Sequence, residues 1–156
     1  GETIDLVAVG HAGAPVASSD QFFSDPWNLL MPYPSRNMGD GWETRRRRGP
    51  GHDWVVLRLG RRGVVERVRI ETTHFKGNYP DTVSVELLDA PGGDDKAALA
   101  DGGAWREVVP RSEMRAHDTH EWEIPEALRF GATHARINMH PDGGIARVRL
   151  YGMVSQ

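Results

Sequence analysis

The densest run of chemically capable side chains is GDGWETRRRRGPGHDW, residues 39–54, immediately ahead of a strand-like segment. Loops at strand ends are where rigid scaffolds usually carry binding and catalytic groups. An arginine steadied by Glu43 or Asp53 makes a two-pronged fork to a carboxylate, a charge-assisted contact of roughly 1.5–3 kcal/mol. Side chains alternate along an extended chain, so only Arg45 with Arg47, or Arg46 with Arg48, can converge on one ligand. A bare arginine run is more often a solvated surface. Here Trp42 offers an apolar wall, and Glu43, His52 and Asp53 are groups able to move a proton.

Two further constellations carry polar chemistry. In THFKGNYPD, residues 73–81, extension of the preceding strand's alternation puts Thr72 and His74 on the core-facing side. His74 is then a base, a ligand, or a neutral imidazole satisfied by a backbone carbonyl. Lys76 and Asn78 follow it, and GNYPD is also ordinary turn chemistry. In NMHPDGGIARVR, residues 138–149, a Pro-Asp-Gly-Gly turn joins two strands, which accounts for the turn residues without invoking function. His140, Asp142 and Arg147 contribute to a site only if they face the same cavity. His52, Asp53, His74, His140 and Asp142 are donor types that suit zinc or manganese, but they lack a fixed short spacing. A divalent ion is therefore an alternative, and no cofactor is assigned. The chain has no phosphate-binding glycine loop, dinucleotide fingerprint or nucleophile elbow.

Positioning these groups falls to short alternating segments separated by turns rich in the 18 Gly and 10 Pro. Strands are expected at residues 53–59, with Val55, Leu57 and Leu59 on one face, and at 64–74, with Val64, Val68 and Ile70 together and Glu66 the exception. Others are expected at 81–89, 133–139 and 146–152, and weaker ones near residues 3–9, 105–109 and 119–124. About eight strands in two packed antiparallel sheets make an all-β sandwich. Phe22 to Leu30 reads as a turn or short helix plugging one end. Residues 89–104 read as a mobile acidic, glycine-rich loop, and His11, His117, His120 and His134 as loop or strand-edge residues.

The 156 residues suffice for one domain, taken as 1–156, with one sizeable core. Charge is mixed, 19 Lys+Arg against 22 Asp+Glu, which gives no general attraction to nucleic acid. No segment approaches the ~20 apolar residues of a membrane span, and no basic leader with an apolar run opens the chain. The absence of cysteine removes disulfides, thiolate metal sites and a cysteine nucleophile, and the cytoplasm is the expected compartment. Of the 19 basic residues 17 are Arg, a bias that genome composition explains as readily as carboxylate recognition does.

The strings NMGDGWETRRRRGPGHDWVVLRLG, HFKGNYPD with SVEL after it, and THARINMHPDGGIARVRLYG together resemble the allantoicase family. SSDQFFSDPWNLLMP is similar to the family's opening segment. The resemblance implies a galactose-binding-like jelly roll that converts allantoate and water to ureidoglycolate and urea in purine breakdown. It also implies two repeats per chain. This chain holds one, nearest the second, so a second repeat or another copy is the expected partner. His140 stands where the family more often has an aromatic residue. Segments 53–60 and 64–70 equally resemble discoidin-type carbohydrate-binding modules, so binding without catalysis is the alternative function.

Allantoate carries one carboxylate and two ureido groups on a single carbon. Arg45 or Arg46 with Arg147 would hold the carboxylate, Lys76 assisting, while Asn78 and Asp142 pair with the ureido groups. Glu43 or Asp53 would be the base toward water, and His52 or His74 the acid toward the departing urea. A divalent ion polarising the ureido carbonyl is the competing route.

Overall fold

The computed structural model describes the chain except Phe22, Asp101 and Gln156. Its organising element is β4 (Asp53–Glu71), a 19-residue strand that replaces the two expected at 53–59 and 64–74. Four strands pair with it antiparallel. β2 (Ala14–Ser18) and β8 (Gly131–His140) take its first part, and β7 (Thr119–Glu123) and β10 (Arg147–Val154) its second. A strand has only two edges, so one with four partners must leave one layer and enter the other. The passage occurs between Arg58 and Gly63, where the register with β8 shifts. Gly60 permits it, since a Cβ there would lie 1.7 Å from the His11 carbonyl oxygen. GRRG, which looks like a turn, is thus a bend within one strand.

The first layer runs β2, β4, β8, β5 (Thr82–Leu88), β6 (Arg106–Glu113), and the second runs β1 (Ile4–Asp5), β10, β4, β7. Val55, Leu57, Val85 and Ile137 from one layer and Val68, Ile70, Val148 and Leu150 from the other form a single buried cluster. Each such side chain contributes about 1.5–3 kcal/mol on leaving water. The antiparallel jelly-roll sandwich expected from the alternation is the observed fold.

Several local expectations are revised. Val65, not Val64, faces the core at 1% exposure. The cause is a bulge: Arg67 stands opposite Tyr151 but Val65 opposite Gly152, leaving Glu66 as the extra residue. Residues 14–18, not foreseen as a strand, form β2. His134 is no edge residue but lies fully buried in the central β8, its Nε2 2.8 Å from Asp95. Asp95 also binds Arg58, and it opens α1 (Asp95–Leu99), so the 89–104 loop is pinned to the sheet by a buried histidine. Pro26–Leu30 is a short 3-10 helix capped by Asp25, and its fully buried Leu29 and Leu30 plug one end as expected. Phe22, which begins that segment, lies outside the described residues. Among the described residues no helix is long and apolar enough to cross a membrane.

The bulge makes a sharp demand on Gly152, whose Cβ would stand 1.9 Å from the Val64 carbonyl oxygen. Gly152→Ala should therefore cost about 3 kcal/mol, the upper range for overpacking. Denaturant unfolding should show a lowered midpoint at unchanged slope.

Candidate functional site

Three sequence-distant stretches meet at one rim of the sandwich. β3 (Trp42–Glu43) pairs with β9 (Gly144–Ile145), Trp42 opposite Ile145 and Glu43 opposite Gly144. The Thr44 amide donates to the Gly143 carbonyl at 2.9 Å, and the Gly144 amide to the Asn78 carbonyl at 2.8 Å. Beneath them Phe75 is fully buried, its ring in the space that a Cβ on Gly144 or Gly41 would enter, 2.1 and 3.0 Å away. The residues around 45, 76 and 142 thus form a common rim, as the motifs required.

Side-chain bonds run along this rim. Asn78 Nδ2 donates to Glu43 Oε2, which orients a half-exposed carboxylate. The Arg47 amide donates to Asp142 Oδ2 at 2.8 Å, and Arg47 Nη2 donates to Asp53 Oδ1 at 2.9 Å. Ser19 Oγ donates to the same Asp53 oxygen at 2.9 Å. Asp53 is 2% exposed, yet its Oδ2 and Arg47 Nε are buried with no hydrogen-bond partner among the described residues. A donor and an acceptor in that state are completed by a ligand or by ordered water. They adjoin a cavity of about 290 Å³ lined by Ser19, Asp20, Arg45–Arg48, Gly49 and Asp53. Arg45 and Arg46 are exposed at its mouth, and Lys76 is exposed on the neighbouring turn. Of the alternating arginine pairs, Arg47 is the inward member, a residue left unassigned in the sequence reading.

Other expected members go elsewhere. Trp42 is fully buried, its Nε1 donating to the Asp20 carbonyl at 2.8 Å, so it is core and not an accessible wall. Arg147 is fully buried too. Its Nε donates to the Tyr33 carbonyl at 3.0 Å, its Nη1 to the carbonyls of Asp40 and Ala146, and its Nη2 to Asp40 Oδ2 at 3.3 Å. Turned inward, it anchors residues 33–40 and is not placed to clamp a carboxylate from solvent. Burial pushes the Asp40 carboxyl up, but hydrogen bonds from Arg36 and the charge of Arg147 outweigh this and hold it below its ordinary value.

The strand ends at Glu71, so alternation does not carry to His74, which adopts a left-handed turn at φ 74°. Its Nε2 lies 2.8 Å from the Ser35 carbonyl, the carbonyl-satisfied state among the three readings. His52 turns to the outward face of the first layer, its Nε2 3.0 Å from Asn138 Oδ1 and its ring 4.6 Å from that of His140. The five residues considered for a metal are therefore split, His52 and His140 on the outward face, Asp53 and Asp142 at Arg47 on the rim, and His74 at the Ser35 carbonyl. Among the described residues no group of three or more His, Cys, Asp or Glu is arranged to hold an ion.

Arg147→Ala should leave Asp40 buried beside an unfilled space and cost about 3–5 kcal/mol in unfolding free energy. Arg46→Ala, at the exposed mouth, should stay within ~0.5 kcal/mol. Parallel denaturant titrations of the two variants check both values. Gly144→Ala should displace Phe75 and weaken the rim by about 1–3 kcal/mol, read as faster exchange of the Thr44 and Gly144 amides.

The family described as the allantoicase repeat matches residues 4–155. Proteins named "probable allantoicase" from Stutzerimonas stutzeri and Photobacterium profundum are both 44% identical over 98% and 99% of this chain. The chain spans 46% and 47% of their lengths, under half of these curated relatives. The allantoicase structure from Saccharomyces cerevisiae superposes with a TM-score of 0.84 at 35% identity, covering 97% of this chain and 43% of that one. A family 32 carbohydrate-binding module from the Clostridium perfringens protein NanJ shares the fold alone, with a TM-score of 0.64 at 10% identity, covering 93% of this chain and 96% of that module. With the family's repeat matched almost end to end and its motif stretches joined at one rim, this chain belongs to the allantoicase family.

Proposed function

We propose that this chain is a hydrolase of purine catabolism that converts allantoate and water to ureidoglycolate and urea. The observation that carries this reading is the rim itself: Asn78 bonds Glu43, and Arg47 bonds both Asp142 and Asp53, on stretches tied together by backbone hydrogen bonds in a member of this family. The exposed cations Arg45, Arg46 and Lys76 are the groups for the substrate carboxylate, since a guanidinium fork pairs with both carboxylate oxygens. Asn78 and Asp142 supply the donor and acceptor that a ureido group needs.

Glu43 is the base. Its carboxylate takes a proton from water as the oxygen joins the substrate's central carbon. The same carboxyl returns that proton to the departing ureido nitrogen as the C–N bond breaks, so urea leaves neutral. A single shuttling carboxyl replaces the histidine acid first considered, because His52 and His74 are engaged away from this line. The second repeat of the relatives, or another copy of this chain, is the proposed partner, and the cytoplasm the proposed compartment.

Urea release from allantoate by the purified chain is the direct test. Glu43→Gln should lower kcat by at least about 10²-fold with its fold unchanged. Arg45→Ala should raise KM by roughly tenfold, the loss of one charge-assisted contact. A folded chain that binds allantoate but releases no urea would make this a binding module, and the hydrolytic reading would fall.

A further inference from the structure

The outward face of the first layer carries a groove that the rim does not use. Three rungs of side chains cross it, fixed by strand register. Trp54 stands opposite Asn138, which stands opposite Ser84. Val56 stands opposite Arg136, which stands opposite Glu86, and His140 stands opposite Thr82. Outward positions of a sandwich are ordinarily solvated, yet Asn138 and Ser84 are each only 4% exposed. Adjoining hollows of about 380 and 480 Å³ share Trp54, Glu86 and Arg136. One end is polar, with His52, His140 and Arg111. The other holds the side chains of Trp105, Ala98 and Leu99 beside the backbone of Ala100, Gly102 and Gly103.

The groups on the floor are hydrogen-bonded to one another. Asn138 Nδ2 donates to Ser84 Oγ and to Glu86 Oε2, each at 3.2 Å, while its Oδ1 accepts from His52 Nε2. Ser84 Oγ and His140 Nε2 are hydrogen-bonded at 3.1 Å. Burial, then the neighbouring Arg111 and His52, hold the His140 pKa down to about 4 against the opposing pull of Glu86, so it is neutral near pH 7.

Two guanidinium groups bring hydrogen-bond donors to the groove. Arg136 spends Nε on Glu86 and lies 4.6 Å over the Trp105 ring. Arg111 spends Nε on Thr82. Their terminal nitrogens and the His140 ring line one end of a space whose other end carries the Trp105 indole, Ala98 and Leu99. Glu107 also lines the polar hollow, and Glu86 is already paired with Arg136. We propose that this groove is a second small-molecule site, separate from the rim, for a planar ring bearing a carboxylate. The ring lies against Trp54 and Trp105, and the acid group meets Arg111, Arg136 and His140.

Benzoate, benzamide and acetate are the probes, applied to the whole chain and followed by the NMR signals of the two indole N–H groups and the His140 ring. Benzoate should shift Trp54 and Trp105 saturably, and benzamide and acetate should bind roughly tenfold more weakly, for want of the charge or of the ring. Bound benzoate should raise the His140 pKa, because an adjacent anion favours the imidazolium, so affinity should strengthen as pH falls toward 5. Arg111→Ala, at an exposed position, should weaken benzoate about tenfold while urea release from allantoate is unchanged. Arg136→Gln should do the same if Arg111→Ala fails to fold. The proposal is overturned if benzoate causes no saturable shift, if it perturbs only rim residues such as Asp142, or if the groove signals move only with protein concentration. The last result would make the face a protein interface. None of these results bears on whether the rim hydrolyses allantoate.

Discussion

The rim exists because one aromatic ring fits where two glycines lack side chains. Phe75 is fully buried with Gly144 and Gly41 against its ring, and those three residues come from three separate stretches of chain. Burying the ring contributes a few kilocalories per mole, and close packing makes its position nearly unique. The backbone bonds among Thr44, Gly143, Gly144 and Asn78 then fix the register of the loops above it. Every polar contact along the rim is downstream of this packing. Glu43 reaches Asn78, and Arg47 reaches Asp142, only because the loops carrying them cannot slide.

The arginines divide by burial, and burial sets their role. Arg147 lies in the interior, and such a charge is tolerable only when its donors are paired. Two carbonyls of the 33–40 segment and the Asp40 carboxylate provide that pairing, so Arg147 locks the segment across which Ser35 meets His74. Arg47 is intermediate. It joins Asp53 at the cavity wall while its Nε is left for a ligand or water. Arg45 and Arg46 stay exposed at the cavity mouth. A run of four identical residues thus spans different depths and partners.

The two faces of the first layer are also unlike. Its inner face is apolar and joins the second layer, while its outer face buries amide, hydroxyl and imidazole groups in one hydrogen-bond chain. Adjacent residues are parted by the strand's twofold alternation. Asp53 goes to the rim with Arg47 and Ser19, and His52 beside it goes to the outer groove with Asn138 and His140.

The sequence alone determined the class of fold and the stretches that meet. Alternation with period two, cut by Gly and Pro, is a local property readable wherever one face of a strand is buried. It identified Val55, Leu57, Val85 and Ile137 as core and marked Glu66 as irregular. The motifs HFKGNYPD and PDGGIAR carried the glycine and aromatic residues that make the rim. What only the tertiary structure decided is which way each polar side chain points. Alternation could not show that 53–71 is a single strand bent between layers, because the bend depends on Gly60 meeting His11 from elsewhere. It could not separate Arg47 from its neighbours, or assign Trp42 and Arg147 to the interior, because those fates depend on Asp142, Asp20 and Asp40 arriving from distant sequence. A residue's type is written locally, whereas its solvation and hydrogen-bond partners are set by chain segments that only folding brings near.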